Sequence, residues 1–231
     1  MSPKRLFCFG HRGAAGHEPE NTVRSVRRAL ELGADGVEVD VHFADGQLVV
    51  IHDDTLSRTT NGQGRVAEKP FTYLRSLDAG RGERIPTLAE IFDAVSRRAV
   101  INVELKGPNT AAPAVALIAE YVERRGWSYS DFLLSSFEYA RIVDARRLCA
   151  QIRIGALTMK APRDLRPFKD DISAWSLHVD RRGVTSKLVG NAHELGLKVF
   201  AFTVNQEEEI ARMKWLGVDG VFSDFPERVT V

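Results

Sequence analysis

Short β-rich apolar runs recur along the chain, and segments with helical periodicity fill most of the gaps between them. The runs are Phe7–Phe9, Gly36–Val41, Val100–Leu105, Phe132–Ser135, Arg153–Leu157, Ala174–Val179, Val199–Thr203 and Gly220–Ser223. Read as parallel strands they number eight, and eight βα units predict an α/β fold of the TIM-type (β/α)8 barrel class. The helical segments carry ordinary start and stop signals. Asn21-Thr22 precedes a stretch in which Val23, Val26, Ala29 and Leu30 share a face, and Gly33 follows its end. The stretch from Asn191 to Leu195 likewise stops at Gly196. Arg24, Arg27 and Arg28 of the first helix form a solvated face.

One segment breaks the βα rhythm. Between Val41 and His52 two β-like runs flank Asp45-Gly46, leaving no room for the crossover that parallel strands require. The pattern predicts an extra antiparallel hairpin strand after the second barrel strand. With Asp45, Gly46 and Gln47 as a three-residue loop, Ala44 faces Leu48 and Asp40 stands opposite His52. That register puts Glu38, Asp40 and His52 on one face, whereas a two-residue loop sends His52 to the other. A polar, glycine-rich insertion at about residues 54–86 follows, and long excursions of this kind on a barrel usually cover the site.

Composition narrows the partners. At 231 residues with 44% hydrophobic residues, the chain suits one barrel domain over 1–231. Its net charge of +1 balances 32 basic against 31 acidic residues, which points away from nucleic acid and anionic membranes. The apolar run LFCF near the N-terminus is too short for a signal-peptide core or a spanning helix, so a cytoplasmic protein without stable membrane anchoring is expected. Cys8 and Cys149 have neither metal-motif spacing nor the density of a disulfide framework, and are read as packing residues.

Barrels of this class gather their chemistry at the carboxyl ends of the strands. There the first strand leads into His11 and Arg12, the second carries Glu38 and Asp40, and the third carries Glu104 and Lys106. Residues two apart on a strand share a face, and inward carboxylates are costly unless a cation neutralises them. The trio Glu38, Asp40 and Glu104 reads equally as a hard-cation site for Mg²⁺ or Ca²⁺ or as an ion network with Arg12 and Lys106. Its company raises the metal reading. His11 and His52 titrate near neutrality and suit proton removal and delivery, while Arg12 and Lys106 suit a phosphoryl group. A divalent cation, two histidines and two fixed cations describe phosphodiester cleavage.

The ordered set of motifs resembles the glycerophosphodiester phosphodiesterase family. It comprises His11-Arg12-Gly13, Pro19–Thr22, Gly36–Val41, Val50–Asp53, Glu104–Lys106, Ser136-Phe137, Phe202–Asn205 and Asp219–Pro226. The resemblance implies metal-dependent hydrolysis of small glycerophosphodiesters, such as glycerophosphocholine or glycerophosphoethanolamine, to glycerol 3-phosphate and an alcohol. It also implies Glu38, Asp40 and Glu104 as ligands of one divalent cation, His11 and His52 as the acid–base pair, and Arg12 and Lys106 as phosphate partners. The chain departs from the family at Phe202, where members often have tryptophan; the apolar wall is kept and an indole N–H is lost.

Other residues receive modest readings. His17 belongs to a solvated loop, and His42, His178 and His193 to packing or surface. Glu20 and Asn21 fix the first loop by hydrogen bonds, and Trp127, Trp175 and Trp215 are read as core or surface packing. Three alternatives accompany the main reading: phospholipase C-like cleavage ending at a cyclic phosphate, lysophospholipase D-like action on lysophospholipids, and a non-catalytic phosphodiester-binding barrel. The second calls for an exposed apolar patch or amphipathic segment, and Phe71–Leu74 is too short to supply one.

Overall fold

The computed structural model describes residues 5–230. The ends of the expected 1–231 domain, residues 1–4 and 231, lie outside the described residues. Its strands are β1 (Phe7–Gly10), β2 (Gly36–Ala44), β3 (Gln47–Val50), β4 (Val100–Leu105), β5 (Phe132–Ser136), β6 (Arg153–Thr158), β7 (Ser176–Asp180), β8 (Lys198–Phe202) and β9 (Gly220–Ser223). The ladder runs β1-β9-β8-β7-β6-β5-β4-β2, and parallel β1–β2 pairing closes it into an eight-stranded barrel. β3 bonds outside it, antiparallel to the far end of β2. All eight expected barrel strands are present; their ends agree within two residues, except that β2 runs three residues further, to Ala44, where it pairs with β3.

Alternation along the strands sorts residues into two layers. On β2, Val37, Val39 and Val41 join the large core between barrel and helices, while Glu38 and Asp40 point the other way. Inside, Phe9, Leu133, Phe200 and Phe222 fill the lower barrel. A Cβ at Gly36 would lie 2.5 Å from the Phe9 ring, so only glycine admits that aromatic plug. The barrel floor is thereby filled mainly by aromatic rings, with the Ser176–His178 pair among them, while the charged interior residues stand toward its carboxyl-terminal end.

Helix α1 (Val23–Glu31) starts where expected, with the Thr22 side chain accepting the Ser25 N–H at 3.1 Å. Helix α2 (Phe71–Ser76) lies within the insertion, and α3 (Leu88–Val95) follows it with a reciprocal cap between Thr87 and Glu90.

The hairpin register corrects the sequence expectation. Ala44 pairs with Gln47 and Val41 with Val50, so the turn has two residues, Asp45 and Gly46, rather than three. Both have positive φ, 47° and 75°, the geometry whose twist matches antiparallel strands. Ile51 N–H donates to Asp40 O at 3.0 Å, so Ile51, not His52, stands opposite Asp40. His52 nevertheless reaches the interior end of the barrel, because β3 stops at Val50 and the chain bends at residues 52–54, where alternation no longer governs direction.

The insertion is a folded body with its own core. Leu56, Val66, Leu74, Leu77 and Ile85 bury against Ala44, Val49 and Ile51 of the hairpin. Phe71 N–H donates to Asp45 Oδ2 at 2.8 Å, and Val50 N–H to Pro86 O at 2.8 Å, so the middle of the insertion and its C-terminal end are tied to β3 and its turn.

Candidate active site

The carboxyl ends of the strands enclose a cavity of about 220 Å³ that holds seven of the eight expected site residues in its wall. Its polar side includes His11, Arg12, Glu38, His52, Asn102, Glu104 and Lys106; its apolar side includes Phe137, Leu157, Met159, Phe202 and Phe222. The eighth, Asp40, is buried behind them. Parallel registers Glu38 to Asn102 and Asp40 to Glu104 bring the carboxylates of β2 and β4 side by side, and one oxygen from each of Glu38, Asp40 and Glu104 lies within 4.8 Å of the others.

The loop after β1 folds back to hold this cluster. Arg12 (φ 51°) and Asn21 (φ 59°) adopt left-handed backbone, each at a typical cost of ~1–3 kcal/mol. At Arg12 the backbone N–H donates to Glu38 Oε2 at 2.8 Å. At Asn21 the amide is bonded twice to Asp40: Nδ2 donates to its carboxylate at 2.9 Å, and Oδ1 accepts its N–H at 3.1 Å. Arg12 also pairs with Glu20 at 2.8 Å and Asp40 at 3.5 Å. Glu20 and Asn21 thus fix the loop as expected.

The electrostatics match a site built around a cation. Burial, then Asp40 and Glu104, push the Glu38 carboxyl well above its usual range. Burial and Asp40 carry Glu104 up to about 7 against the opposing charge of Lys106. Glu38 Oε1 is buried with no hydrogen-bond partner. A divalent cation would relieve all three conditions, and the all-oxygen donor set fits Mg²⁺ or Ca²⁺. Lys106 compensates in part, with Nζ 3.0 Å from Glu104 and 3.8 Å from Asp40; burial lowers its pKa, yet these carboxylates outweigh it and raise it.

Each histidine has a carboxylate on one ring nitrogen. His52 Nδ1 lies 2.7 Å from Asp53, and Lys106 Nζ lies 3.1 Å from its Nε2; burial lowers the His52 pKa. His11 Nδ1 lies 2.7 Å from Asp224. Sequence reasoning assigned roles to neither carboxylate, although Asp53 adjoins His52 and Asp224 falls within a quoted motif. It also missed Asn102, whose i−2 relation to Glu104 carries the same-face signal. Arg58 had no local signal. From the insertion it donates twice to Glu20, at 2.8 Å, and to Asp53 at 2.6 and 3.1 Å, spanning the loops that bear Arg12 and His52. These bonds and those of Arg12 outweigh burial and hold Glu20 at about 2. No insertion residue is among the described residues lining the cavity; its reach into the site is through Arg58.

Phe202 stands in the apolar wall, edge-on to Phe137 at 5.8 Å. The remaining histidines lie outside the cavity wall. His17 pairs with Glu227 at 3.0 Å, His193 with Asp219 at 2.8 Å, and His42 Nε2 lies 3.2 Å from the His52 carbonyl. His178 is buried in the barrel beside Phe222, 2.8 Å from Ser176 Oγ.

With this geometry in hand, comparison with known proteins is decisive for the family. The sequence profile of the glycerophosphoryl diester phosphodiesterase family matches residues 11–228. The chain belongs to this family. A glycerophosphodiester phosphodiesterase of Caldanaerobacter subterraneus is 36% identical over 238 residues, spanning 96% of each chain. Another, from Bacillus altitudinis, is also 36% identical and spans 95% of each. Among solved structures, an Oleispira antarctica phosphodiesterase in complex with the product sn-glycerol-3-phosphate superposes with a TM-score of 0.88 at 32% identity, covering 96% of this chain and 94% of that one. The family match begins at His11 and includes every expected site residue.

Proposed function

We propose that the protein hydrolyses small glycerophosphodiesters, such as glycerophosphocholine or glycerophosphoethanolamine, to glycerol 3-phosphate and an alcohol in the cytoplasm. The observation that carries this reading is the convergence of two carboxylate-backed histidines, two cations and a buried three-carboxylate cluster on one cavity of a family barrel. No helix among the described residues is long and apolar enough to cross a membrane, which accords with a small-molecule substrate.

In this reading Glu38, Asp40 and Glu104 hold one divalent cation, Mg²⁺ or Ca²⁺. When bound, the ion supplies charge stabilisation at the phosphate and acidifies a neighbouring hydroxyl. Arg12 and Lys106 flank the phosphoryl oxygens and stabilise their charge as bonds to phosphorus rearrange. One of His11 and His52 removes the proton of the attacking glycerol hydroxyl; the other gives a proton to the departing alcohol oxygen as its bond to phosphorus breaks. Water then opens the resulting cyclic phosphate with the two roles exchanged.

The apolar half of the cavity takes the carbon skeleton of the departing alcohol. Phe137 and Met159 are 40% and 55% exposed at its edge, which favours testing lysophospholipids alongside the smaller diesters. Phosphorus NMR of the products from such a panel tests the reading. Glycerol 3-phosphate from the small diesters is expected, with a transient cyclic phosphate. Full turnover of a substrate lacking the 2-hydroxyl would eliminate the cyclic route, and lasting cyclic product would favour phospholipase C-like cleavage.

A further inference from the structure

The contacts around His11 restrict how its ring can be protonated. Its Nδ1 faces Asp224 Oδ1 at 2.7 Å, while Asp224 Oδ2 accepts from Asn205 Nδ2 at 2.6 Å. The Asn205 amide is locked in that orientation. Its Oδ1 accepts the backbone N–H of Asp224 at 2.9 Å, a donor that cannot reverse, and the Ser223 hydroxyl at 3.2 Å. The Ser223 oxygen in turn accepts the Phe225 N–H at 3.2 Å. Asn205 therefore presents hydrogens to residue 224, and Asp224 accepts on both carboxylate oxygens.

We propose that Asp224, itself held by Asn205, is the positioning residue of His11: it keeps the imidazole in the Nδ1–H tautomer and leaves Nε2 to exchange protons in the cavity. The inference rests on the acid–base role proposed for His11. It adds polar residues from the loops after β8 and β9 to a polar site otherwise drawn from β1, β2, β4 and the segment after β3. His52 has the same arrangement, with Asp53 at Nδ1 and the donor-only Lys106 ammonium at Nε2, so both rings are set in one tautomer by different elements. An asparagine at 224 keeps the shape but cannot accept at both ends. One of its ends must face His11 or Asn205 donor to donor, and the charge that stabilises an imidazolium is lost either way.

The test joins a spectroscopic and a kinetic readout. Nitrogen–proton correlation spectra of the wild-type protein, with the His11 signals assigned by their loss in His11→Gln, should show a protonated Nδ1 and a bare Nε2 at a pH where those signals no longer titrate. Asp224→Asn should lower kcat about 10²-fold or more, with KM within about threefold, in a protein that keeps its fold and loses some melting temperature to the donor-to-donor contact. A wild-type Nε2–H tautomer, or a folded Asp224→Asn enzyme with kcat within about threefold of wild type, would overturn the proposal. If the variant does not fold, the wild-type tautomer decides alone. A protein that cleaves no glycerophosphodiester would refute the proposed reaction while leaving the tautomer measurement readable.

Discussion

Individual side chains in this site are set against one another before any ligand is considered. Glu38, Asp40 and Glu104 are buried together, and the two glutamates are pushed toward their neutral forms by that burial. A cation bound by the trio would compete with protons for the glutamate oxygens, so removing one carboxylate should be felt first in metal affinity. Glu38→Gln is expected to weaken Mg²⁺ or Ca²⁺ binding by roughly tenfold or more in isothermal titration calorimetry, a ligand change being at least as costly as the 10 to 100-fold typical of its supporting groups. Unchanged affinity would remove Glu38 from the ligand set. His52→Ala should instead lower kcat by ~10² to 10⁴-fold with little change in KM, because proton transfer acts in the transition state. Nearly full activity would exclude His52 from proton transfer. Sequence spacing made the carboxylate trio readable, since same-face alternation on strands is local, whereas His11 and His52 were readable from their chemistry and the motifs around them. The partners of the histidines were not readable in the same way: Asp224 lies 213 positions from His11, and only barrel closure brings them together.

At the level of elements, the hairpin and the insertion behave as one unit. Alternation identified β3 as an added antiparallel strand, but the turn has two residues where three were expected, because Asp45 and Gly46 both accept positive φ. The consequence expected for His52 did not follow, since the chain leaves the ladder after Val50. Insertion packing was hidden from the sequence because its apolar residues are sparse and aperiodic, and come together only when they meet Ala44, Val49 and Ile51 of the hairpin. Leu74 is fully buried there, so Leu74→Ala should destabilise the protein by ~2–5 kcal/mol in urea unfolding. A loss below about 0.5 kcal/mol, as usual for surface positions, would mean that the insertion is only loosely attached.

For the whole molecule, the barrel interior divides into an aromatic floor and a polar upper end, with His178 at the boundary. Burial alone holds its pKa down to about 3, against ~6.5 in an unfolded chain. The fold favours the neutral ring, so between these values the unfolded state binds more protons and stability falls as pH falls. The contribution is complete above about pH 6.5 and is lost progressively toward pH 3. From pH 7.5 to 5 it amounts to ~2 kcal/mol, and His178→Leu should flatten the pH dependence of the urea midpoint by that amount. An unchanged slope would show that His178 accepts a proton without cost in the folded state.

The reaction proposed for this barrel is cation-dependent hydrolysis of a glycerophosphodiester. It is tested most directly by following glycerol 3-phosphate release from glycerophosphocholine, first after chelation and then with Mg²⁺ or Ca²⁺ restored in turn. No release is expected from the chelated protein, with recovery on addition of at least one ion. Release that persists at full rate without the ion would contradict the role given to the buried carboxylates, and absence of release under every ion, across a panel of glycerophosphodiesters, would contradict the reaction itself.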